Sequence, residues 1–402
     1  MRILWVSSDW LIPLNAGGRI RSMFTLRELA RRHDVQVLCS YRAASRDVDY
    51  EEKLNAEFFG ARCVYNGAPW AWGGLPAAVR LLSRLPEAAR QAMAPELASL
   101  VATELASGEF DVTVCDFLET AVNYPERLVT PSVLFEHNVE WELCRSQSDY
   151  ARNWRQRLGL RVEARRVRAF EARAVGRFHH TVAVSQQDER LLRALGGHDR
   201  VTGVDTGVDT ETYRPSPSPI GARPIVMFTG HMEYIPNVDA VTWFCREIWP
   251  RVIDAVPAAQ FFIVGRSPTA SVAALASATV QVTGEVESVV EYLEQASVVV
   301  VPLRAGGGTR LKIYEAMAVG RPVVSTSLGA AGLEVNGGRD IVLADDAVSI
   351  ATEVIALLTS PDRAASIGAE AARSAADHGW PEVAKQFERV LQAVVSEAGG
   401  KP

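Results

Sequence analysis

One short segment, residues 305–315, carries the residue types best suited to binding an anion; its sequence is AGGGTRLKIYE. Three glycines and Thr309 precede Arg310 and Lys312, and Glu315 follows about one helical turn later. The first backbone N–H groups of a helix lack intrahelical partners and the helix dipole is positive there, so a glycine turn at a helix start can receive an anion. Two cationic side chains add charge, and Glu315 could accept hydrogen bonds from sugar hydroxyls. The combination favours a phosphate-bearing nucleotide over an ordinary tight turn.

The elements around this segment are those of a parallel α/β sheet. Residues 298–303 form a β-branched run that ends near Pro302, which is typical of a buried strand. Residues 310–319 have the composition of a helix, Gly320 stops it, and residues 322–325 read as the next strand. The pattern therefore predicts a strand–loop–helix–strand unit with the three glycines where the helix begins.

A second glycine turn lies near the N-terminus. Residues 2–7 and 35–40 read as strands on either side of a helical pattern at 19–32, so the chain begins as a βαβ unit. Gly17 and Gly18 come just before that helix, without the spaced glycines of a dinucleotide-binding turn.

Arg19 and Arg21 follow these two glycines. Two interpretations stay open. The turn either needs small residues only for its shape, or it forms a second anion-binding helix start at which one guanidinium group faces a phosphate.

A polar cluster follows the predicted strand at residues 132–135. It consists of Glu136, His137, Asn138 and Glu140. Because open α/β sheets bind ligands at the carboxyl ends of their strands, this position favours a site role over a structural histidine.

The composition excludes several classes of protein. The 402 residues are 48% hydrophobic and 22% charged, and a net charge of −6 gives no reason to expect nucleic acid as a partner. Five cysteines without a CxxC pair indicate reduced thiols, and no stretch approaches the roughly 20 apolar residues of a membrane span. The first ten residues have too short an apolar run for a signal peptide. We expect a cytoplasmic protein and leave open a peripheral position at the inner face of the membrane.

Two charged segments have an ordinary and a functional interpretation. Asp47 and Asp49 form a DxD pair that could hold a metal ion, but they lie in a charged run with no apolar strand before it, so we interpret them as a solvated face and expect no metal. Residues 151–177 hold nine arginines and two glutamates over a helical pattern. A solvated helix face is the first interpretation there, and a basic face attracted to anionic lipid is the second.

The alternation of strands and helices occurs twice, which predicts two doubly wound parallel-sheet (Rossmann-like) α/β domains. Residues 201–219 are rich in Gly, Pro and Ser, so we place the boundary there. The predicted divisions are a first domain at 1–205, a linker at 206–222, a second domain at 223–376, and a C-terminal helix at 377–402 that could return to the first domain.

Residues 224–376 resemble the nucleotide-sugar-binding half of the retaining glycosyltransferases of family 4. The strongest match is the sequence YEAMAVGRPVV at 314–324. The strand end at Ser185, the sequence GVD at 207–209 and the sequence VTGEV at 282–286 extend the resemblance over nearly the whole chain. Family 4 enzymes have the two-Rossmann (GT-B) fold, so the resemblance implies two domains that face a cleft, the first for the acceptor and the second for the donor.

The chain departs from the common family pattern at two places. The family commonly has two glutamates eight residues apart; Glu315 is present here, but Gly307 takes the place of the other. An Arg and a Lys commonly follow the first strand of the second domain, where this chain has His231 and approximately Asn237. The sequence therefore resembles a branch in which the segment GGGTRLK supplies the positive charge.

The resemblance implies transfer of a sugar from a UDP-, GDP-, ADP- or dTDP-linked donor to a hydroxyl acceptor, with retention of anomeric configuration and without a metal or other cofactor. The acceptor would be a saccharide, a lipid-linked intermediate at the membrane or a small metabolite. A phosphate oxygen of the leaving group would take the proton of the attacking hydroxyl.

Carried over residue by residue, the resemblance assigns the catalytic roles to His137, beside the sugar carbon, and to Arg310 and Lys312, which would neutralise the diphosphate. The implied donor-binding residues are Gly17, Gly18, Gly230, His231, Thr283, Gly284, Val286, Gly307, Gly308, Thr309 and Glu315. The implied acceptor-binding residues are Arg19, Asn138 and Glu140.

Two other functions stay open from the sequence. A nucleotide-sugar epimerase on the same fold would act on the donor alone. A non-catalytic nucleotide-sugar-binding protein is suggested by the missing glutamate at position 307. A dinucleotide dehydrogenase is disfavoured because neither domain has the spaced glycines.

Overall fold

A computed structural model describes residues 1–67, 83–149, 153–217, 220, 223–305 and 310–399. The chain divides into two compact units. Unit 1 consists of the described residues of Met1–Asp205 and those from Val383 onward, and unit 2 of the described residues of Thr206–Gly306 and Arg310–Glu382.

Unit 1 contains a seven-stranded, wholly parallel sheet with the strand order β3-β2-β1-β4-β5-β6-β7. Its strands are β1 Arg2–Ser7, β2 Asp34–Tyr41, β3 Arg62–Tyr65, β4 Val112–Asp116, β5 Ser132–Phe135, β6 His180–Ala183 and β7 Val201–Gly203. Its helices are α1 Gly17–Ala30, α2 Val48–Glu57, α3 Glu87–Ala92, α4 Pro95–Ser107, α5 Glu140–Asp149, α6 Trp154–Arg177 and α7 Gln186–Leu192. A 3₁₀ turn occupies Leu118–Asn123 after β4.

Unit 2 contains a six-stranded parallel sheet with the order β10-β9-β8-β11-β12-β13. Its strands are β8 Ile225–Thr229, β9 Gln260–Val264, β10 Val280–Gly284, β11 Val298–Val301, β12 Val323–Ser325 and β13 Val342–Leu343. Its helices are α8 Ile235–Trp243, α9 Trp249–Ala255, α10 Ala270–Ala273, α11 Val289–Gln295, α12 Leu311–Ala318, α13 Ala347–Thr359 and α14 Pro361–Ala376. The last helix, α15 Trp380–Gly399, begins in unit 2, and its residues from Val383 onward group with unit 1.

Continuous apolar runs form the central strands because helices cover both faces of a parallel sheet. In β1, Ile3, Leu4, Trp5 and Val6 are fully buried, and every valine of β11 is at most 1% exposed. Burying a large apolar side chain stabilises a fold by about 1.5–3 kcal/mol, so these runs fix which segments become central strands. The strand order reverses between β1 and β4 in one sheet and between β8 and β11 in the other, and ligands of doubly wound folds bind at such points. The predicted fold class of two parallel-sheet α/β domains is confirmed.

Two local predictions need correction. The composition of residues 201–219 predicts no strand there, but Val201–Gly203, within the first domain predicted at 1–205, pairs with β6 as the edge strand of unit 1. A three-residue edge strand is too short to show a periodic pattern, and its Thr and Gly resemble loop residues. The sequence pattern of residues 238–249 predicts a single helix, but a π-helical turn at Phe244–Ile248 interrupts it, after which Pro250 lies in the first turn of α9.

Arg21 is a structural cation and not a free anion-binding side chain. Its guanidinium group is fully buried, lies 4.3 Å from the centre of the Phe135 ring, and donates to the carbonyl oxygens of Glu136, Ala183 and Val204. Burial lowers the pKa of Arg21 to about 9. The three bonds join the ends of neighbouring strands β5 and β6 to the segment after β7, so the interpretation that Arg21 faces a phosphate is wrong.

Replacing Arg21 by Met should destabilise unit 1 strongly. The change removes the donors of three buried carbonyl groups, and each unsatisfied buried polar group costs about 1–3 kcal/mol. We expect the free energy of unfolding to fall by about 3 kcal/mol or more, measured by urea denaturation followed by circular dichroism.

Arg62→Met is the matched control, because Arg62 forms a surface ion pair with Glu104 and is itself 45% exposed. Such pairs contribute about 0–1 kcal/mol. Equal denaturation midpoints for the two variants would show that the guanidinium group of Arg21 does not hold the strand ends together.

Candidate functional site

The candidate site of unit 2 lies where the order of its sheet reverses, at the carboxyl ends of β8 and β11. Helix α12 begins at Leu311, and Arg310 occupies its cap position with only 6% of its surface exposed. Gly307, Gly308 and Thr309 lie outside the described residues, so their assigned roles stay predictions. The structure does describe the two cationic side chains that follow them, Arg310 and Lys312.

Lys312 reaches from α12 to the end of β8. Its Nζ donates to the Oδ1 atom of Asn237 at 3.0 Å and lies 4.2 Å from the centre of the Phe228 ring. Burial lowers the pKa of the Lys312 amine to about 7, the neighbouring Arg310 guanidinium acts in the same direction, and Glu315 opposes them. The site thus concentrates positive charge in a place largely removed from water, where charge acts most strongly on a ligand.

Gly230 leaves the space that Lys312 occupies. A Cβ atom at position 230 would lie 2.7 Å from Asn237 Nδ2 and 2.9 Å from Lys312 Nζ. Gly265 approaches the same turn from β9, since a Cβ there would lie 1.8 Å from the Gly230 carbonyl oxygen. The predicted site residue Gly230 therefore lies beside Lys312, and the close contact leaves no room for a side chain at position 230.

His231 contributes its backbone to this arrangement. Its carbonyl oxygen accepts a hydrogen bond from Asn237 Nδ2 at 2.9 Å, while its ring nitrogen lies 3.4 Å from the Glu233 carboxylate. Asn237 is 6% exposed and uses both ends of its amide. In the sequence, Asn237 is matched only approximately to a position at which the family commonly has a cation, and no role is predicted for it.

Glu315 is partly buried and hydrogen-bonded. Burial raises the pKa of its carboxyl group, against the opposing effects of a hydrogen bond from the Tyr213 hydroxyl and of the Lys312 charge. The pKa of Tyr213 is raised as well, mainly by burial and to a smaller extent by the neighbouring Glu315 carboxylate. The sequence does not indicate Tyr213 as a site residue, because it lies in the Pro- and Ser-rich segment that is predicted to be a linker.

Thr283, Gly284 and Val286 lie at or after the end of the edge strand β10. The Thr283 hydroxyl donates to the Gly284 carbonyl oxygen at 2.8 Å, and that oxygen also accepts from the Gly265 backbone N–H at 3.1 Å. Strand β10 is two strands from β8, which is about 10 Å at the usual strand spacing. Only an elongated ligand could contact the carboxyl ends of both β8 and β10.

In unit 1, a buried carboxylate organises the corresponding edge of the sheet. Asp116, the last residue of β4, is fully buried. It accepts hydrogen bonds from His137 Nε2 at 2.8 Å, Ser22 Oγ at 2.9 Å and Trp5 Nε1 at 3.1 Å. Because a carboxylate only accepts, the His137 proton lies on Nε2. The pKa of His137 is lowered by burial despite the opposing Asp116, so the ring is neutral at neutral pH.

The His137 ring lies beneath the N-terminal glycine turn. Ring centroids lie 4.1 Å apart between His137 and Phe117 and 4.6 Å apart between His137 and Phe135. A Cβ atom on Gly18 would lie 2.7 Å from the Phe117 ring and 3.5 Å from His137 Cγ. Among the described residues, His137 Nδ1 has no hydrogen-bond partner, and the side chain is only 2% exposed.

Sequence reasoning missed Asp116 and Phe117. The signal that was available is position, because Asp116 ends a strand next to β1. Phe117 adopts a positive φ of 67°, which bulky residues rarely do. Its residue type therefore does not predict that conformation. Gly17 begins α1 beside Gly18.

The predicted acceptor residues do not all come together. Arg19 forms a two-pronged ion pair with Asp9, with distances of 3.0 and 3.1 Å. Asn138 donates to Glu140 at 2.9 Å, and burial raises the pKa of Glu140. In the described ranges no hydrogen bond joins Arg19 to Asn138 or Glu140.

Across the described residues, no group of three or more His, Cys, Asp or Glu side chains could hold a metal ion. Asp47 caps α2 by accepting from the Tyr50 backbone N–H at 3.0 Å, and Asp49 forms an exposed ion pair with Lys53. No helix in the described part of the chain has both the length and the hydropathy of a membrane span.

Comparison with known structures gives the fold. Sucrose-phosphate synthase from Thermosynechococcus elongatus superimposes with a TM-score of 0.70 at 14% identity, over 98% of this chain and 99% of that one. Anabaena HepE, solved in complex with UDP and glucose, gives a TM-score of 0.64 at 15% identity, over 98% and 100% of the two chains. The architecture is thus the two-Rossmann (GT-B) fold of these proteins.

The curated relatives that this chain matches align with only part of its length. The phosphatidyl-myo-inositol mannosyltransferase of Mycobacterium leprae is 26% identical over 243 residues, which are 57% of this chain and 62% of the relative. D-inositol 3-phosphate glycosyltransferase 1 of Catenulispora acidiphila is 24% identical over 261 residues, 58% of this chain and 62% of the relative. The chain thus spans less than two thirds of the length of either relative.

Two family descriptions match the chain in succession. Residues 21–212 match Glycosyltransferase Family 4, and residues 223–360 match Glycosyl transferases group 1. The matches meet close to the change from unit 1 to unit 2, and both belong to the same class of enzyme. This chain is a member of glycosyltransferase family 4, of the group 1 type.

Proposed function

We propose that the chain transfers a sugar from a nucleoside diphosphate to a hydroxyl acceptor, with retention of configuration and without a metal ion. One observation carries the proposal: the buried Arg310 and the half-buried Lys312 bring two cationic side chains together where the sheet of unit 2 reverses its order. A diphosphate is the donor group that needs this charge. The mannosyl- and glycosyltransferase relatives, and the UDP bound by HepE, support the same class of donor.

The chemistry requires charge stabilisation more than it requires a nucleophile. The bond between the anomeric carbon and the diphosphate oxygen breaks, and negative charge develops on that oxygen. Fixed cations in a site of low dielectric stabilise such charge by a few kcal/mol per group. The acceptor oxygen bonds to the same face of the sugar, and its proton passes to the leaving phosphate oxygen, which balances the step without a protein base.

The remaining donor contacts follow from the strand ends of unit 2. Glu315 would bind the ribose, although the Tyr213 hydroxyl now shares its carboxylate. Thr283, Gly284 and Val286 would border the base, and an extended nucleotide matches the separation of β8 and β10. The glycines and Thr309 of the GGGTRLK segment would offer backbone donors to the sugar and phosphate.

Unit 1 would supply His137, Gly17 and Gly18 and the acceptor residues Asn138 and Glu140. The near-complete burial of His137 supports a role in shaping the glycine turn, through Phe117 and Gly18, in addition to any contact with the sugar. Arg19 would bind an acceptor only by giving up its ion pair with Asp9.

Membership in a glycosyltransferase family does not favour an epimerase or a binding protein without catalysis. Incubation with UDP-, GDP-, ADP- and dTDP-linked sugars, with and without an acceptor, separates the three functions. A transferase releases nucleoside diphosphate only with an acceptor, an epimerase changes the donor alone, and a binding protein does neither. Nuclear magnetic resonance of the product reports whether the configuration is retained.

We propose a cytoplasmic protein that touches the inner face of the membrane through α6, where a lipid-linked acceptor would lie. Helix α6 carries eight arginines and two glutamates. At its start, Trp154 is 69% and Leu158 56% exposed. Arg161 and Arg165 are also exposed and form no ion pair with any described residue. Exposed cations beside exposed apolar groups complement a surface of anionic lipid.

Arg310→Ala should lower the transfer rate by about a hundredfold or more, because one fixed charge at the leaving oxygen is lost. The rate is measured as kcat with saturating donor, in buffer with and without EDTA. We expect wild-type activity to be insensitive to EDTA.

Arg304→Ala is the control for this charge. Arg304 is only six residues away, pairs with Asp239 at 2.7 Å and lies over Trp243, and it should be replaceable at little cost. Near-normal turnover of Arg310→Ala, or loss of turnover in EDTA, would contradict the metal-free scheme.

Asp116→Asn should reduce the transfer rate by about a hundredfold, since an amide has one accepting oxygen where the carboxylate has two. Its NH₂ group then faces the N–H of either Trp5 or His137, which displaces the His137 ring under the glycine turn. Asp111→Asn serves as control, because Asp111 is exposed and accepts only from the Arg2 backbone N–H in the described structure. His137→Ala is measured in parallel. If both site variants remain folded and keep wild-type kcat, His137 has no part in the reaction.

Replacing Arg157, Arg161 and Arg165 together by Gln should weaken binding to vesicles of phosphatidylglycerol by about a hundredfold, at roughly 1 kcal/mol per cation. The matched triple Lys variant keeps the charge and should bind as the wild type does. Sedimentation with anionic and with phosphatidylcholine vesicles measures both. Equal binding of the Gln and Lys variants would exclude α6 as the membrane surface.

A further inference from the structure

The side-chain amide of Asn237 contacts the Lys312 amine in an orientation that its other hydrogen bond fixes. Asn237 lies in the first turn of α8, directly after Pro236. Its Nδ2 donates to the His231 carbonyl oxygen at 2.9 Å, and a carbonyl can only accept. The orientation of the amide is therefore fixed, and Oδ1 is the end that faces the Lys312 amine at 3.0 Å.

The other sides of the Lys312 amine are equally defined. The Phe228 ring lies beneath it at 4.2 Å, and a ring face attracts a cation. Gly230 closes another side, because any larger residue would meet the Nζ atom. Within the described residues no carboxylate lies within 4.0 Å of this amine, so an amide oxygen and a ring share its stabilisation.

We propose that Asn237 is a positioning residue that keeps the Lys312 ammonium available for the donor diphosphate, an inference that rests on the proposed function. A neutral amide suits this task better than a carboxylate does. It orients the ammonium and leaves its charge uncompensated until a phosphate arrives, whereas a carboxylate at the same position would neutralise the charge beforehand.

A consequence for pH follows from the surroundings of Lys312. The charged groups that act on it are Arg310, which lowers its pKa, and Glu315, which raises it; Asn237 and Phe228 are neutral. With a pKa of about 7, the empty site is only partly protonated at neutral pH. A diphosphate favours the ammonium form, so the donor should bind with uptake of a proton. Donor affinity should be greatest below about pH 7 and fall as the pH rises above it.

Two substitutions at position 237 separate positioning from a merely structural role. Asn237→Ala and Asn237→Asp both lose the bond to the His231 carbonyl, and Asn237→Asp also places a carboxylate oxygen against that carbonyl. Only Asn237→Asp keeps an oxygen beside Lys312, and it adds a charge that should raise the pKa of the amine by about one to three units.

The first measurement needs no turnover. Competitive labelling of the Lys312 amine with acetic anhydride, followed by mass spectrometry across a range of pH, gives its titration. Lys53, which pairs with Asp49 on the exposed surface, is the internal reference. We expect titration near pH 7 in the wild type and at a distinctly higher pH in Asn237→Asp than in Asn237→Ala. UDP, GDP, ADP and dTDP are each added, and the one that matches the donor should protect the wild-type amine.

The second measurement is the donor KM from pH 6 to pH 9. In Asn237→Ala the KM should rise by about tenfold at pH 7.5, because the ammonium loses its hydrogen bond. In Asn237→Asp the KM should be raised at low pH and vary less between pH 7 and pH 9 than in the wild type.

Identical Lys312 titrations and identical pH profiles for Asn237→Ala and Asn237→Asp would overturn the inference, even with a fully active wild type. If UDP protects Lys312 but no sugar is ever transferred, the positioning role of Asn237 stands and the proposed reaction falls. If the nucleoside diphosphate of the donor that the active enzyme uses does not protect Lys312, the diphosphate is held elsewhere and the inference falls alone.

Discussion

The partial removal of the Lys312 amine from water is the constraint around which the candidate site of unit 2 is arranged. A cation in a place of low dielectric is costly unless polar groups replace its hydration, and here an amide oxygen and an aromatic face do so. Arg310 adds repulsion to that cost and does not relieve it. The charge is thus only partly compensated, which is the electrostatic condition for binding an anion strongly. Position 230 is glycine because a Cβ atom there would meet the Lys312 amine and the Asn237 amide, and position 265 is glycine because a Cβ atom there would meet the Gly230 carbonyl oxygen.

In unit 1, by contrast, the buried charge is compensated by hydrogen bonds within the protein. The carboxylate of Asp116 is fully satisfied by Trp5, Ser22 and His137, so it serves to fix geometry and not to attract a ligand. That geometry places the His137 ring against Phe117, which in turn leaves room at position 18 only for glycine. Arg21 extends the arrangement by tying three strand ends together through their carbonyl groups. The edge of the sheet that carries the predicted site residues is therefore held by buried polar groups more than by its loops.

The departures from the common family 4 pattern become understandable as one rearrangement. Where the family commonly has cations after the first strand of the second domain, this chain has His231 and Asn237. The structure shows the ammonium of Lys312 in contact with Asn237, reaching that strand end from the helix that follows the glycine segment. Under the proposed function, a different element would deliver the positive charge to this strand end. The neutral residue at position 237 would then support that cation through its amide.

The sequence by itself determined the two parallel sheets, because unbroken apolar runs such as those of β1 and β11 can be buried only as central strands of such a sheet. It also determined that cations and glycines gather at helix starts after those strands, since residue type and local order suffice for that. It did not reveal Asp116 as the partner of His137, the Tyr213 contact of Glu315, or the meeting of Lys312 with Asn237. Those pairs are 21, 102 and 75 residues apart. Only the tertiary structure decided them, because adjacent strand ends bring together side chains whose separation along the chain carries no periodic signal.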